Sequence, residues 1–304
     1  MIYKNILQTI GNTPIVKINK LNPNKDVNIY AKIEGVNPGG SIKDRIALKM
    51  IEQAEAEGSL NKNKIIIEAT SGNTGIALAM IGVVKGYKVE IVMSEAVSIE
   101  RQKMIKAFGA KIILTGGKLG TDGAITRCKE LVEKYPDKYF RPDQFSNQYN
   151  KIAHYEGTAR EMWKQMNGEI DYFVSAVGTS GTLMGVASYL KKYNPKVKIV
   201  SAEPTKGHYI QGLKNMEEAL VPAIYDRGLL DDIIMIDTKK ALETARQIVR
   251  QEGIFVGMSS GAAMLAALEI AKKIKSGRRQ SGTGNIVTIF PDRGEKYLST
   301  DLFA

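Results

Sequence analysis

Asp171-Tyr172-Phe173-Val174-Ser175-Ala176-Val177 runs directly into Gly178-Thr179-Ser180-Gly181-Thr182 and then into Leu183-Met184-Gly185-Val186-Ala187-Ser188-Tyr189-Leu190. The first part is nearly continuous in apolar residues, as a strand buried on both faces must be. The last part has helical period. The Gly/Ser/Thr turn between them offers hydroxyls and free backbone N–H groups at a helix N-terminus. Strand, turn and helix in that order form one unit of a parallel sheet.

The same grammar recurs on both sides of this unit. Residues 27–34 alternate apolar and polar, whereas 64–69, 89–93, 111–114, 197–202 and 285–290 are compact apolar runs. Helix-period segments fall between them at 76–85, 99–108, 124–134, 155–166, 242–251 and 262–275. The pattern predicts an α/β protein with mainly parallel, twisted sheets covered by helices on both faces. No internal repeat interrupts it. The Pro-containing stretch 140–150 reads as a domain crossing, and residues 204–232, with Gly207, Gly212, Pro222 and Gly228, read as a long functional loop. Ligands of such sheets lie at the carboxyl ends of the strands, where the Gly/Ser/Thr turns fall.

Composition narrows the chemistry. Cys128 is the only cysteine and His154 and His208 the only histidines, so a disulfide, a thiolate cluster, a His-rich zinc site and a Ser-His-Asp triad lack material. The net charge of +11 is spread among acids and not gathered into an arm or recognition helix, which argues against nucleic acid as a partner. No apolar stretch approaches the roughly 20 residues that span a bilayer, and the first residues lack signal-peptide character, so no membrane partner and a cytoplasmic location are expected.

The chemistry-bearing residues are an amine and several turns. Lys43 sits in Asn37-Pro38-Gly39-Gly40-Ser41-Ile42-Lys43-Asp44-Arg45 at a predicted helix start, and further turns occur at Thr70-Ser71-Gly72-Asn73-Thr74-Gly75 and Gly257-Met258-Ser259-Ser260-Gly261. One reactive amine together with anion-receptive helix N-termini suits pyridoxal phosphate, which needs a covalent amine and a phosphate cradle. Each feature alone has a plainer account, with Lys43 as a surface charge and the turns as ordinary N-caps. Gly178–Thr182 is neither a Walker loop nor Gly-x-Gly-x-x-Gly, which weakens a nucleotide-dependent dehydrogenase reading built on Glu203.

Taken with Ile10-Gly11-Asn12-Thr13-Pro14, Asp143-Gln144-Phe145 and Asp292-Arg293-Gly294-Glu295-Lys296-Tyr297-Leu298-Ser299-Thr300, these motifs resemble the cysteine synthase and cystathionine β-synthase group over nearly the whole chain. The resemblance implies a two-domain fold type II pyridoxal-phosphate enzyme, usually a homodimer. Its larger cofactor-binding domain would comprise 1–40 plus 150–304, and a smaller mobile domain, 41–149, would close over substrate. It implies that Lys43 carries the cofactor imine, Asn73 contacts the ring hydroxyl, Gly178, Thr179, Ser180, Gly181 and Thr182 hold the phosphate, and Ser259 faces the pyridine nitrogen. Thr70, Ser71, Gly72, Thr74 and Gln144 would hold the substrate carboxylate. The implied reaction is β-replacement on serine- or cysteine-type amino acids through an α-aminoacrylate, with O-acetylserine and sulfide giving L-cysteine.

Two departures leave the substrate open. Pro38-Gly39-Gly40-Ser41 is more similar to the serine-using cystathionine synthases and the second class of bacterial cysteine synthases. Asp232 follows Leu229-Leu230-Asp231 at the end of the long loop, where a carboxylate at the cavity mouth would act as base for exchange of L-cysteine and water, or a thiol, for L-serine, or a thioether, and hydrogen sulfide. Serine or threonine dehydratase is the remoter alternative.

Overall fold

The computed structural model describes residues 2–70, 72–274 and 284–304. Six strands form one sheet in the order β1 (Ile15–Ile18), β2 (Val27–Ile33), β10 (Gly284–Phe290), β7 (Tyr172–Ala176), β8 (Lys198–Pro204), β9 (Asp232–Ile236). Only the β1 and β2 pair is antiparallel. A second, all-parallel sheet runs β5 (Lys111–Thr115), β4 (Val89–Ser94), β3 (Ile65–Ala69), β6 (Tyr139–Phe140).

The helices are α1 (Lys43–Ala56), α2 (Asn73–Lys85), α3 (Ile99–Ala107), α4 (Gly120–Lys134), α5 (Gln148–Ala153), α6 (Arg160–Gln165), α7 (Gly181–Tyr193), α8 (Thr238–Gln247) and α9 (Met258–Lys273). Between α5 and α6 the backbone passes through a π-helical turn, His154–Ala159, without leaving helical angles, so 148–165 is one rod. Lys275, which the sequence sets at the end of the last helix, lies outside the described residues.

Side-chain alternation shows why the apolar runs had to be continuous. In the smaller sheet Ile66, Ile91 and Met93 pack with α1 and α2, while Ile67, Ala69 and Val92 turn to the α4 side with buried Cys128. In the larger sheet Ile29, Val174, Val200 and Ile286 share a core with α8 and α9, and Phe173, Ile199 and Val287 share another with α7. Both faces of both sheets are therefore covered, as expected of buried parallel strands. Each sheet has its own core. Among the described residues, no helix is long and apolar enough to cross a membrane.

Three strands escape the sequence pattern: β1, the two-residue β6, and β9. The last corrects the long-loop reading, because the irregular stretch ends one residue earlier. Asp231 accepts a hydrogen bond from Ile199 N at 2.9 Å and pairs with Lys191 and Lys198, which pins the returning chain at the amino end of β8 and starts β9 at Asp232.

Candidate active site

Four helix N-termini, those of α1, α2, α7 and α9, meet at one cavity between the sheets. Lys43 is the first residue of α1. Its segment is fastened to the end of β10, where Ile42 N donates to Pro291 O at 2.8 Å and Ser41 bridges Asp292. Asp44 folds back to accept from Gly39 N at 2.6 Å, and a Cβ on Gly39 would lie 2.5 Å from Asp44 Oδ1, so the turn requires glycine. The Lys43 side chain lines the cavity. Burial pushes its ammonium down to about 8 against the opposing charges of Asp292 and Glu34. Such an amine is partly neutral near physiological pH and is nucleophilic.

Opposite lies the turn after β7. Gly178, Thr179, Ser180 and Thr182 line the cavity, and Ser180 holds a left-handed backbone with φ +66°. A non-glycine residue there is a strained placement of the kind found at binding sites. A Cβ on Gly178 would meet Gly212 O at 2.4 Å. Among the described residues Ser180 Oγ, which is buried, has no hydrogen-bond partner. An orphaned hydroxyl beside free N–H groups at the start of α7 is what an anion would complete.

Asn73 enters from the smaller sheet's side as the first residue of α2. Its Nδ2 donates to Asp292 Oδ2 at 2.7 Å and its Oδ1 accepts from Lys296 Nζ at 3.1 Å, so the amide orientation is fixed. Tyr297 OH also donates to Asp292 Oδ2, at 2.8 Å. Arg101 of α3 donates to Gln211 Oε1 at 2.7 Å and to Tyr297 OH, and lines the same cavity. Thr70 and Thr74 line it too. Thr74 Oγ1 donates to Gln144 Oε1 at 2.6 Å, while Gln144 Nε2 donates to Ala69 O at 2.8 Å. Ser259 lines the remaining wall at the start of α9.

The structure thus brings together Lys43, Thr70, Asn73, Thr74 and Gln144 with Gly178, Thr179, Ser180, Thr182 and Ser259. Gly72 and Gly181 act from behind. A Cβ on Gly72 would strike Arg101 Cδ at 2.4 Å, and one on Gly181 would strike Asn150 Oδ1 at 1.8 Å. Ser71 lies outside the described residues. Asp232 is not brought to the cavity mouth. It opens the edge strand β9, exposed, with its Oδ1 accepting from its neighbour Ile233 N at 2.8 Å. Sequence reasoning gave no role to Arg101, Gln211 or Lys214, which also line the cavity. No local pattern marks them. Asp292 and Lys296 were visible within a motif near the chain's end but not as partners of Asn73.

The family model of the pyridoxal-phosphate dependent enzymes matches residues 6–292. The cysteine synthase of Aquifex aeolicus is 48% identical over 304 residues, covering 98% of this chain and 92% of that protein. The chain belongs to this family, in its cysteine synthase group. Among solved structures, a cysteine synthase of Entamoeba histolytica superposes with a TM-score of 0.91 at 44% identity, over 100% of this chain and 91% of that one. A hydrogen sulfide-producing enzyme of Fusobacterium nucleatum superposes with a TM-score of 0.91 at 45% identity, over 98% of this chain and 100% of the other.

Family membership makes pyridoxal phosphate the cofactor, and the residues fit it. The Lys43 amine matches the aldehyde, and the unsatisfied Ser180 hydroxyl with the Gly178 close approach matches the phosphate.

Proposed function

We propose that this chain catalyses β-replacement on serine- and cysteine-type amino acids in the manner of cysteine synthases, forming L-cysteine from O-acetylserine and sulfide. The observation that carries this reading is the Lys43 amine, pushed down to about 8, facing an anion-receptive loop across a cavity whose third wall holds Thr74 and Gln144.

When bound, pyridoxal phosphate supplies the carbonyl that captures a primary amine and the electron sink that loosens bonds at the substrate Cα. Gly178, Thr179, Ser180, Gly181 and Thr182 hold its phosphate, Asn73 meets the ring hydroxyl and Ser259 faces the ring nitrogen. A neutral hydroxyl at that nitrogen favours loss of a β-substituent over transamination. Lys43 Nζ moves the Cα proton, which its lowered pKa permits near neutrality. Thr70, Ser71, Gly72, Thr74 and Gln144 bind the substrate carboxylate at the start of α2, where the helix dipole favours an anion.

We assign these last residues to a mobile unit, 41–149, that closes on 1–40 plus 150–304 and excludes water from the reaction. The core around the smaller sheet, drawn from 41–149 apart from Leu7 and the adjoining Ile10, supports that division. The assembly is a homodimer in this reading. Exposed Ile6, on a short helical turn (Ile6–Thr9) that packs on α2, and exposed Val83 and Val84 of α2 supply apolar surface for it.

Sulfide release from L-cysteine is the second reading, favoured by the likeness to the Fusobacterium nucleatum protein. Supplying O-acetylserine with sulfide, and separately L-cysteine alone, and quantifying cysteine, serine, sulfide and pyruvate separates the two. Cysteine from the first mixture supports the synthase. Matched serine and sulfide from the second would replace it, and pyruvate as main product would indicate a dehydratase.

A further inference from the structure

The helical rod 148–165 carries three buried polar side chains, Asn150, His154 and Thr158, spaced one turn apart, that the reaction above does not use. Asn150 Nδ2 donates to Thr179 Oγ1 at 3.1 Å and to Gln144 O at 2.7 Å. His154 has Nε2 3.1 Å from Thr182 Oγ1 and Nδ1 2.9 Å from Thr158 Oγ1. The i, i+4 spacing puts these side chains on one face of the rod. Glycines of α7 let that face approach closely: a Cβ on Gly181 would lie 1.8 Å from Asn150 Oδ1, and one on Gly185 would lie 2.4 Å from Lys151 O. Each threonine of the phosphate loop is therefore gripped from behind while it lines the cavity in front.

A hydroxyl has a single hydrogen to donate. The Asn150 amide nitrogen is donor only, so Thr179 Oγ1 accepts there and keeps its hydrogen for the cavity. His154 presents a choice. Burial, with Lys43 and Arg45 nearby, pushes its pKa well below the usual histidine value, so the ring is neutral and has one N–H for two hydroxyls. With that hydrogen on Nδ1, Thr182 would spend its own on Nε2. With it on Nε2, Thr182 accepts and its hydrogen is free.

We propose that Asn150 and His154 are positioning residues that donate from Nδ2 and Nε2 to Thr179 and Thr182, turning both threonine hydroxyls toward the cavity as donors to a phosphate monoester. The proposal rests on the reading of Gly178–Thr182 as the phosphate loop. A phosphate dianion presents only acceptors, so a loop with reversed hydroxyls would oppose it with lone pairs. Through Gln144 O, Asn150 also ties the substrate side of the cavity to the same anchor.

Nitrogen-15 NMR of the pyridoxal-phosphate-loaded protein tests the assignment without any substitution. The Nε2–H tautomer of His154 is expected, and an Nδ1–H tautomer would overturn the proposal. Fluorescence titration of apoprotein variants with pyridoxal phosphate gives the second arm. His154→Gln places an amide nitrogen near the Nε2 position and is expected to bind within about threefold of the unsubstituted protein. His154→Asn, too short to reach Thr182, and Asn150→Asp, an acceptor only, are expected to weaken binding roughly tenfold or more and to shift the phosphorus-31 resonance of the bound phosphate. Equal affinities and equal phosphorus resonances across the set would overturn the proposal. Unsubstituted apoprotein that bound no pyridoxal phosphate would instead remove the phosphate-loop reading, and this one with it.

Discussion

Asn73 Nδ2 donates to Asp292 Oδ2 at 2.7 Å, and this bond joins the start of α2, which packs on the four-stranded sheet, to the segment leaving β10 in the six-stranded sheet. The same carboxylate raises the pKa of Lys43 against the lowering effect of burial. One acid therefore both orients the amide expected at the cofactor ring and sets how readily the amine is neutral.

Replacing that acid by its neutral isostere should move the amine's titration. In Asp292→Asn the opposing charge is gone, so the Lys43 pKa falls below about 8. The rate at which apoprotein takes up pyridoxal phosphate, followed by visible absorption against pH, should reach half its plateau at a lower pH than in the unsubstituted protein. An unchanged or higher midpoint would contradict this role.

Thr74 Oγ1 holds Gln144 Oε1 at 2.6 Å, both buried. Thr74→Val keeps the shape and deletes the donor, at a cost of about 1 kcal/mol and thus a several-fold rise in KM for the amino-acid substrate. Cofactor affinity should stay within about twofold, because the phosphate loop is on the other wall. Equal losses in both would place Thr74 outside substrate recognition.

Glu68 lies under this pair, fully buried, accepting from Ala69 N and Gln144 N, and burial pushes its carboxyl up to about 8. The native protein keeps a proton that the unfolded chain loses above the ordinary carboxylate range. Stability from this group therefore falls as pH rises through that range to about 8 and stays low above it. In Glu68→Gln that part of the slope disappears. Urea unfolding at pH 5.5 and 8.5 should show the unsubstituted protein losing about 2 kcal/mol or more relative to the variant; parallel pH profiles would refute it.

Arg45, next but one to Lys43, makes paired bonds to Glu34 and to Glu161 of α6, and Lys32 joins Glu161 at 2.9 Å. This cluster ties β2, α1 and the rod together in the interior. Arg45→Leu leaves buried Glu34 without its ion-pair partner and half-buried Glu161 with Lys32 alone, and should cost roughly 3–5 kcal/mol in denaturant unfolding. The Glu161 carboxyl is held down to about 2, despite burial, by the Arg45 guanidinium foremost. Its stabilisation is present above the ordinary carboxylate range and is lost as pH falls through that range to about 2, so acid unfolding should begin at higher pH in the variant.

Much of this architecture was legible because burial on both faces leaves a mark on sequence. β4 and β10 are buried at every position and read as mainly apolar runs, broken only by Glu90 and Ser94 in the first and by Asn285 and Thr288 in the second. β6 spans only two residues, and β9 opens on a charged residue at the sheet edge, where one side is open to water, so neither carries that mark. The same weakness at β9 led Asp232 to be read as loop. The turns announced themselves through glycine and hydroxyl residues. Their supports did not: Asn150 reaches Thr179 and His154 reaches Thr182 across 29 and 28 residues. Such a pairing is set by how closely α7 packs on the rod, which depends on Gly181, read in the sequence only as part of the turn, and on Gly185, which looks there like an ordinary helix residue.

In the function proposed for it, this cavity makes L-cysteine with Lys43 as the moving base. The most direct test is cysteine formation from O-acetylserine and sulfide by the pyridoxal-phosphate-loaded protein beside its Lys43→Ala variant. Turnover in the first and a loss of at least about a thousandfold in the second, with the variant still folded, is the expected result. Absence of cysteine from the unsubstituted protein, or comparable turnover in Lys43→Ala, would contradict it.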